Sequence, residues 1–162
     1  MRPPSVARED LLAADSRALI EALNDELRRM YPEPGSNHFR LDPNEVAPGR
    51  GAFLVARVDG RPAACGAVRL LAGGDAEVKR MFARPEMRGR GVGRAVLTAL
   101  EAEARRLGAA RLVLETGVRQ REAISLYRSA GFSDIPPYGE YREASEAGYV
   151  GSGLSLFLAK PL

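Results

Sequence analysis

The sequence predicts a mixed α/β fold, and three observations support this. Two glycine-containing turns join three consecutive strands, a helix with one apolar face follows them, and a strand–helix–strand unit completes the pattern. A chain of 162 residues matches one domain by length and can bury a sizeable core without disulfides. We therefore expect residues 1–162 to form a single α/β domain.

The N-terminal part of the chain predicts one helix between two irregular segments. Two prolines interrupt Met1–Arg8, which we expect to supply a short edge strand. Apolar residues recur at three- and four-residue spacing from Asp15 to Met30, and Asp15 or Ser16 is the predicted N-cap. The segment Ser36–Gly51 is polar and rich in proline and glycine, which is typical of a loop that borders a site.

Two turns predict three antiparallel strands in succession. Asp59-Gly60 is a strong hairpin signal, because both residue types accept the positive φ angles of a two-residue turn. A second glycine turn lies at 73–75, and Pro85 ends the third strand because proline has no N–H. The predicted strands are Phe53–Val58, Pro62–Leu70 and Ala76–Ala83.

A glycine-rich turn follows the third strand. The stretch from Arg88 to Arg94 reads Arg-Gly-Arg-Gly-Val-Gly-Arg and precedes an amphipathic helix that Gly108 ends. Glycines let the backbone approach a ligand closely, and the free N–H groups at a helix start attract anions. The turn therefore predicts a pyrophosphate site, with a flexible loop of solvated arginines as the alternative. Its spacing fits neither the dinucleotide fingerprint nor the P-loop, which needs a lysine.

The C-terminal part predicts two strands and one helix. Arg111–Glu115 is apolar at its centre and predicts a buried strand, and Arg121–Ala130 predicts a helix that Gly131 ends. Apolar and other residues alternate in the tail Gly153–Lys160, which predicts a final strand. Between them, Tyr138–Tyr141 follows two prolines and is expected to form a shaped loop.

Two blocks of this sequence resemble motifs of the GCN5-related N-acetyltransferases, the GNAT family. The run Arg88-x-x-Gly91-x-Gly93 is similar to the family's acyl-CoA signature, Arg/Gln-x-x-Gly-x-Gly/Ala. A second run resembles the family's C-terminal motif, in which asparagine usually stands where this chain has glutamine: Gln120-x-x-Ala123-x-x-Leu126-Tyr127-x-x-x-Gly131-Phe132. The resemblance covers residues 53–132 well and implies a mixed, mostly antiparallel central β-sheet flanked by α-helices.

The resemblance implies acetyl-CoA as the donor. Backbone N–H groups of the glycine-rich turn would hold the pyrophosphate, and main-chain groups at the end of the third strand would pair with the pantetheine arm. In this family a bulge in that strand aims one N–H at the thioester carbonyl. The implied cofactor-binding residues are Met81, Phe82, Ala83, Arg88, Gly89, Arg90, Gly91, Val92, Gly93, Arg94 and Gln120.

The resemblance also implies a catalytic acid and base. Tyr127 matches the tyrosine that protonates the leaving thiolate in many members, and a buried core tyrosine is the alternative. Glu77 stands where some members carry a catalytic glutamate, and a strand glutamate paired with Arg69 or Arg80 is the alternative. Glu115, at the end of a strand, is a second candidate for the base, and a water relay is a third.

The acceptor contacts are expected from loops that border the cleft. Tyr31, His38, Tyr138 and Glu140 are the candidate substrate-binding residues, and Glu140 would attract an ammonium group. The implied reaction is direct transfer of the acetyl group to a primary amine in a ternary complex. A small-molecule amine is favoured. The alternatives are a protein lysine or N-terminal acetyltransferase and a non-catalytic acyl-CoA-binding regulatory module.

Composition argues against several other classes of protein. The net charge is only +3, far from the dense basic stripe that nucleic-acid binding needs. Cys65 is the single cysteine, which excludes an internal disulfide and a cysteine metal cluster and favours a reducing compartment. No apolar run reaches the length of a membrane span, and no signal-peptide core is present. We expect a cytoplasmic protein with no nucleic-acid or membrane partner and leave a homodimer open.

Overall fold

The computed structural model describes residues 2–33, 41–146 and 152–162. Its strands are β1 (Ser5–Arg8), β2 (Gly51–Val58), β3 (Arg61–Leu70), β4 (Ala76–Ala83), β5 (Arg111–Gly117), β6 (Ser133–Asp134) and β7 (Ser155–Pro161). Its α-helices are α1 (Ala14–Met30), α2 (Val92–Arg106), α3 (Arg121–Ser129) and α4 (Gly139–Glu146). Single 3₁₀ turns lie at Pro43–Val46, Pro85–Met87 and Ser152–Leu154.

The seven strands form one sheet in the order β1-β2-β3-β4-β5-β7-β6. Every neighbouring pair is antiparallel except β4 and β5, which run parallel. This arrangement confirms the expected mixed, mostly antiparallel sheet flanked by helices. The Asp59-Gly60 turn is also confirmed, with φ angles of 48° and 79° that match the tight turn joining β2 to β3.

The parallel strands β4 and β5 pair only at their beginnings. The paired positions run from Ala76 opposite Leu112 to Val78 opposite Leu114. Beyond these pairs β4 continues to Ala83 and β5 to Gly117, and among the described residues no ladder joins the two continuations. Backbone groups along the facing edges are therefore left free for a ligand.

A bulge lies on β4 beside this opening. The register between β3 and β4 shifts between Cys65 and Ala67, and Arg80 has a φ angle of 59°. A bulge places an extra residue in one strand and re-aims the side chains that follow it. The bulge predicted by the family resemblance is therefore present in the strand where it was expected.

The helices cover both faces of the sheet. On one face α2 and α3 pack over an apolar layer that includes Leu100, Leu114 and Tyr127. On the other face α1 packs over a smaller layer that includes Leu19 and Phe53. Residues paired across antiparallel strands share a face. Arg69, Glu77 and Lys79 therefore lie on the α1 face, with Cys65 and Phe82. This is the face on which the polar part of the site is built.

The segment Tyr138–Tyr141 was expected to be a loop, and this expectation is wrong from Gly139 onwards. The helix α4 begins at Gly139 and runs to Glu146. Its sequence, Gly-Glu-Tyr-Arg-Glu-Ala-Ser-Glu, is mostly polar, so it carries too few apolar residues to show a helical period. Its first turn contacts the sheet through Glu140, which pairs with Arg69, and Tyr141, which packs against Phe157.

The predicted N-cap of α1 is also wrong. The N-cap is Ala13, and no side chain caps the helix. The carboxylate of Asp15 accepts a hydrogen bond from Arg57 at 2.8 Å instead, and Ser16 is buried within the first turn. None of the helices that the structure describes could span a membrane.

Candidate active site

The glycine-rich turn presents a row of free amides to one side of the sheet. Gly89 and Gly91 both have φ angles of 78°, a conformation that other residues adopt at a cost. From Gly89 to Arg94, no backbone N–H donates to an acceptor among the described residues. The backbone N–H just before this row, that of Arg88, donates to the carbonyl of Pro85 at 3.3 Å. Six consecutive free amides at the start of α2 are thus available as hydrogen-bond donors, the arrangement in which helix starts bind anions.

The three arginines of the turn are engaged differently. The Arg88 guanidinium donates to the carbonyl of Ala83 at 3.0 Å and to Glu26 on α1 at 2.7 Å. Arg94 donates to the Ser129 hydroxyl at 2.6 Å, whereas Arg90 is exposed. The Arg88 side chain therefore holds the turn against α1 and β4, and Arg90 and Arg94 supply positive charge at the surface.

The end of β4 contributes main chain to the opening and side chains to the interior. Phe82 is buried in the α1-side layer, and Met81 packs against the α2-side layer. Phe82 and Ala83 pair with β3 along one edge, which leaves the opposite edge facing the opening. The backbone role predicted for these three residues stays a prediction.

Tyr127 lies on α3 and belongs to the apolar layer on the α2 side of the sheet. Its ring is buried and packs against Phe132, with 5.7 Å between the ring centroids. Its hydroxyl makes no hydrogen bond to the described residues. Burial raises the pKa of the phenol, and the nearby Glu115 carboxylate raises it further. Tyr127 therefore stays protonated and free to donate at neutral pH.

Glu115 lies on β5, where that strand has parted from β4. It is half-buried, and its Oε1 accepts a hydrogen bond from the Ser155 hydroxyl at 2.7 Å. Its other carboxylate oxygen accepts no hydrogen bond from the described residues. Burial raises the pKa of Glu115 above its usual value, and the charge of Glu77 adds to this effect. A raised pKa makes a carboxylate a stronger base.

Glu77 is only 1% exposed and is held on both carboxylate oxygens. Arg69 donates to Oε1 at 2.8 Å, and the Tyr138 hydroxyl donates to Oε2 at 2.7 Å. Arg69 also contacts Glu140 at 3.3 Å, and Lys79 lies 4.0 Å from the same carboxylate. The predicted residues Glu77, Tyr138 and Glu140 thus meet in one cluster, buried at Glu77 and exposed at Glu140, which we call the Glu77 cluster.

Three aromatic rings cover the Glu77 cluster. Tyr138 lies 5.3 Å from Tyr141 and 5.9 Å from Phe157, and Tyr141 lies 5.5 Å from Phe157, measured between ring centroids. Phe157 on β7 is paired with Glu115 across the strands, so the rings border the side of the opening that holds Glu115. Phe157 was not predicted from the sequence, because a phenylalanine in a strand looks the same as an ordinary core residue.

Two of the remaining predicted residues, Tyr31 and Gln120, lie near the end of β5. Tyr31 is buried, and its hydroxyl accepts a hydrogen bond from the Arg119 amide at 2.9 Å. Gln120 is the N-cap residue of α3, and its side chain makes no hydrogen bond to the described residues. His38 lies outside the described residues. The roles predicted for these three residues stay predictions.

The family model described as Acetyltransferase (GNAT) family matches residues 17–132. The chain belongs to the GNAT family. It is therefore an N-acetyltransferase that uses acetyl-CoA.

Relatives of this GNAT protein match nearly its whole length. An IAA acetyltransferase of Azospirillum brasilense is 43% identical over 159 residues, which cover 98% of this chain and 97% of the relative. The structure of a candidate acyl-CoA N-acyltransferase from Klebsiella pneumoniae superposes with a TM-score of 0.76 at 31% identity, covering 98% and 97% of the two chains. The PaiA N-acetyltransferase of Thermoplasma acidophilum, solved with coenzyme A, shares the fold at 15% identity, with a TM-score of 0.70 and coverage of 99% and 100%.

The residues of this GNAT chain fit coenzyme A. The six free amides between Gly89 and Arg94 can donate to pyrophosphate oxygens, and the unpaired edge of β4 offers partners for the pantetheine amides. Gly93 also keeps the helix start close to α3, since a Cβ there would lie 3.3 Å from Cδ2 of Leu126. A larger residue at this point would push apart the two helices that flank the amides.

Gly117 and Tyr31 provide the first testable prediction. A Cβ at Gly117 would lie 1.9 Å from the Tyr31 hydroxyl oxygen and 2.4 Å from Cζ. We expect Gly117→Ala to lower the free energy of unfolding by about 1–3 kcal/mol, because the ring cannot move without losing its bond to Arg119. Urea unfolding measures this change. Gly73→Ala is the matched control, because a Cβ at Gly73 would meet nothing within 4 Å.

A double variant tests the cause of this loss. In a Tyr31→Ala background the obstructing ring is absent, so we expect Gly117→Ala to cost less than in the wild type. An equal cost in both backgrounds would show that the clash with Tyr31 is not the reason.

Proposed function

We propose that this GNAT protein acetylates the primary amine of a small molecule by direct transfer within a ternary complex. The observation that supports this most is the Glu77 cluster with its aromatic cover, beside the opening between β4 and β5. Carboxylates beside the opening attract an ammonium group, and the rings offer apolar surface to the rest of a small acceptor.

The donor side is proposed to follow the free backbone groups. The amides from Gly89 to Arg94 would hold the pyrophosphate, and the edge of β4 at Met81–Ala83 would pair with the pantetheine arm. When bound, acetyl-CoA supplies an acetyl group activated as a thioester. Holding both reactants in line accounts for a large part of such a rate enhancement, on the order of 7–11 kcal/mol.

We propose Glu115 as the general base. Its Oε2 is free among the described residues, and its raised pKa suits proton removal from an ammonium group. Glu77 is less suited to this task, because Arg69 and Tyr138 occupy both of its oxygens and its exposed fraction is 1%. In this proposal Glu77 holds Tyr138 over the opening and its charge raises the pKa of Glu115.

We propose Tyr127 as the general acid. A leaving thiolate needs a proton, and the Tyr127 hydroxyl has no competing hydrogen bond among the described residues. The influence of Glu115 on the pKa of Tyr127 indicates that the two side chains lie near each other. The base and the acid would therefore act at one opening, with the proton leaving the amine at Glu115 and entering the thiol from Tyr127.

The properties of Cys65 support direct transfer over an acetyl-enzyme intermediate. Cys65 is fully buried, and burial raises the pKa of its thiol to about 12. A buried protonated thiol is a poor nucleophile. It is also the only cysteine of the chain, so no other thiol can carry the acetyl group.

A small-molecule acceptor is supported by two further observations. The relative from Azospirillum brasilense is named for acetylation of a small molecule, IAA. In addition, the first turn of α4 lies over the Glu77 cluster, through Tyr138, Glu140 and Tyr141. A protein lysine or N-terminus would need an open groove at this point.

A thiol-release assay tests the proposed function. Acetyl-CoA is incubated with the protein and a panel of small amines, and free thiol is followed over time, with peptides that carry a free lysine or N-terminus as the comparison. We expect turnover with one or more small amines and little with the peptides. Turnover confined to the peptides would contradict the small-molecule proposal. A covalently acetylated protein, trapped and detected by mass spectrometry, would contradict direct transfer.

A further inference from the structure

Arg80 differs from the other arginines of the site face. Arg80 is half-buried. Among the described residues, its guanidinium forms no hydrogen bond and no ion pair, unlike those of the other half-buried arginines. The other half-buried arginines each donate to a carboxylate or a carbonyl; they are Arg57, Arg69, Arg84, Arg88 and Arg111. An unpaired charge away from bulk water is costly, so a half-buried guanidinium usually has a partner.

The backbone of Arg80 adds a second cost. Its φ angle of 59° lies in the left-handed region, which glycine adopts freely and asparagine more readily than other residues. Backbone strain of this kind persists where the surrounding structure imposes it, and it concentrates at functional sites. Here the bulge in β4 imposes it, directly beside the opening between β4 and β5.

Two neighbours define the position of the Arg80 charge. The Cys65 thiol donates a hydrogen bond to the Arg80 carbonyl at 3.4 Å, and the Arg80 guanidinium interacts electrostatically with Cys65 and Tyr141. Cys65 belongs to the α1 face, and Tyr141 belongs to the aromatic cover of the Glu77 cluster. The guanidinium is thus on the acceptor side of the sheet, whereas the free amides from Gly89 to Arg94 lie beyond the end of β4.

The acidic groups of the acceptor side are already engaged by other cations. Glu45, Glu77 and Glu140 all form ion pairs with Arg69, and Glu140 also faces Lys79. Glu115, also on this side, accepts a hydrogen bond from Ser155 at 2.7 Å, and among the described residues no carboxylate forms an ion pair with Arg80. A ligand that approaches from this side therefore meets a cation whose partner the protein does not supply.

We propose that Arg80 binds a carboxylate of the acceptor, so that the acetylated substrate is a small amine that also carries a carboxylate. This inference rests on the proposed function and names its substrate class. A guanidinium pairs with a carboxylate through two parallel hydrogen bonds, which fixes orientation as well as position. The Arg80 pair would direct the amine of the substrate towards Glu115, and the aromatic cover would contact its side chain.

Matched pairs of acceptors test this inference. Each pair consists of an amino acid and the amine that lacks its carboxylate: phenylalanine with phenethylamine, tyrosine with tyramine, and 4-aminobutyrate with butylamine. Phosphoethanolamine with ethanolamine examines a phosphate in place of the carboxylate. The value of kcat/KM is measured for the wild type, Arg80→Asn, Arg80→Lys and Arg142→Gln. Asparagine tolerates the positive φ angle, and Arg142 is an exposed arginine on α4 that serves as the control.

We expect the wild type to prefer the carboxylated member in at least one pair. Arg80→Asn should lower kcat/KM for that member by about 10- to 100-fold, as loss of a charged hydrogen-bonded pair predicts, and should change kcat/KM for the neutral amine by less than threefold. Arg80→Lys should recover part of the loss, and Arg142→Gln should match the wild type. Equal losses on both members, no loss on either, or a preference for phosphoethanolamine alone would overturn the proposal.

A binding measurement separates this inference from the proposed function. If no amine releases thiol, the proposed function fails, and titration of N-acetylphenylalanine into the CoA-saturated protein then examines Arg80 by itself. Binding at least tenfold weaker to Arg80→Asn than to the wild type would support the carboxylate site. Equal binding, or none to either protein, would overturn it.

Discussion

Glu115→Gln is expected to lower kcat by about 10²- to 10⁴-fold, the usual contribution of a general base. The amide has nearly the shape of the carboxylate and can still accept the hydrogen bond from Ser155, so the change removes the base and little else. Steady-state kinetics with one acceptor at saturating acetyl-CoA measure the loss. A decrease of less than threefold would assign proton removal to water or to Glu77.

The pH dependence provides a sharper check on Glu115. Its raised pKa places the acid limb of kcat/KM above pH 4.5, the ordinary value for this carboxyl. The hydrogen bond from Ser155 lowers that pKa, so Ser155→Ala should move the limb to higher pH, whereas Glu115→Gln should abolish it. The same acceptor is used throughout, so its own ionisation cancels in the comparison. If the acid limb of kcat/KM lay at the same pH in both variants as in the wild type, Glu115 would not be the general base.

Stability should depend on Glu115 with a defined sign. Because the folded state raises its pKa, the carboxyl favours the folded state below its unfolded pKa, and this contribution is lost as pH rises through the folded pKa. Glu115→Gln should therefore be as stable as the wild type, or more stable, at neutral pH. A large loss of stability at that pH would mean that Glu115 has a structural role.

Tyr127→Phe is expected to lower kcat by about 10²- to 10⁴-fold, the range typical of a general acid. The hydroxyl makes no hydrogen bond to the described residues, and the phenyl ring can keep the packing against Phe132. The KM for acetyl-CoA and the unfolding midpoint should therefore change little. Single-turnover kinetics and thermal unfolding measure these three quantities together.

Two outcomes would contradict the role proposed for Tyr127. A Tyr127→Phe variant with the kcat of the wild type would show that Tyr127 only packs in the core and donates no proton. A variant that loses stability in proportion to activity would point to damaged packing. Tyr138→Phe is an informative comparison, because it removes a hydroxyl that is bonded to Glu77 and is not proposed to give up its proton.

Local sequence signals were enough for the parts of the fold that depend on neighbouring residues. The Asp59-Gly60 turn and the glycine-rich stretch ending at Arg94 impose their own backbone angles, so both were predictable. Strand β4 was predicted with its observed bounds, because Gly74 and Pro85 punctuate its ends. By contrast, α4 was missed, since its polar first turn is stabilised by contacts with residues far along the chain.

The choice between candidate bases could not be made from the sequence. Glu77 and Glu115 are both strand glutamates, and the resemblance to the GNAT family favoured Glu77. In the structure Glu77 is bonded to Arg69, which was the alternative to a catalytic role, and to Tyr138, which is 61 residues away. Glu115 lies just beyond Leu114, where β5 has parted from β4, and one of its oxygens is free among the described residues.

The sequence by itself therefore determined the order of the strands and helices apart from β6 and α4, the glycine-rich turn and the membership in an acetyl-CoA-dependent family. These follow from residue types at short spacing, which set the local backbone and its free amides. Only the tertiary structure decided which carboxylate is sequestered, which tyrosine is free to donate a proton and which arginine lacks a partner. Each of these properties depends on groups that come from distant parts of the chain, and burial and pairing between such groups have no local pattern.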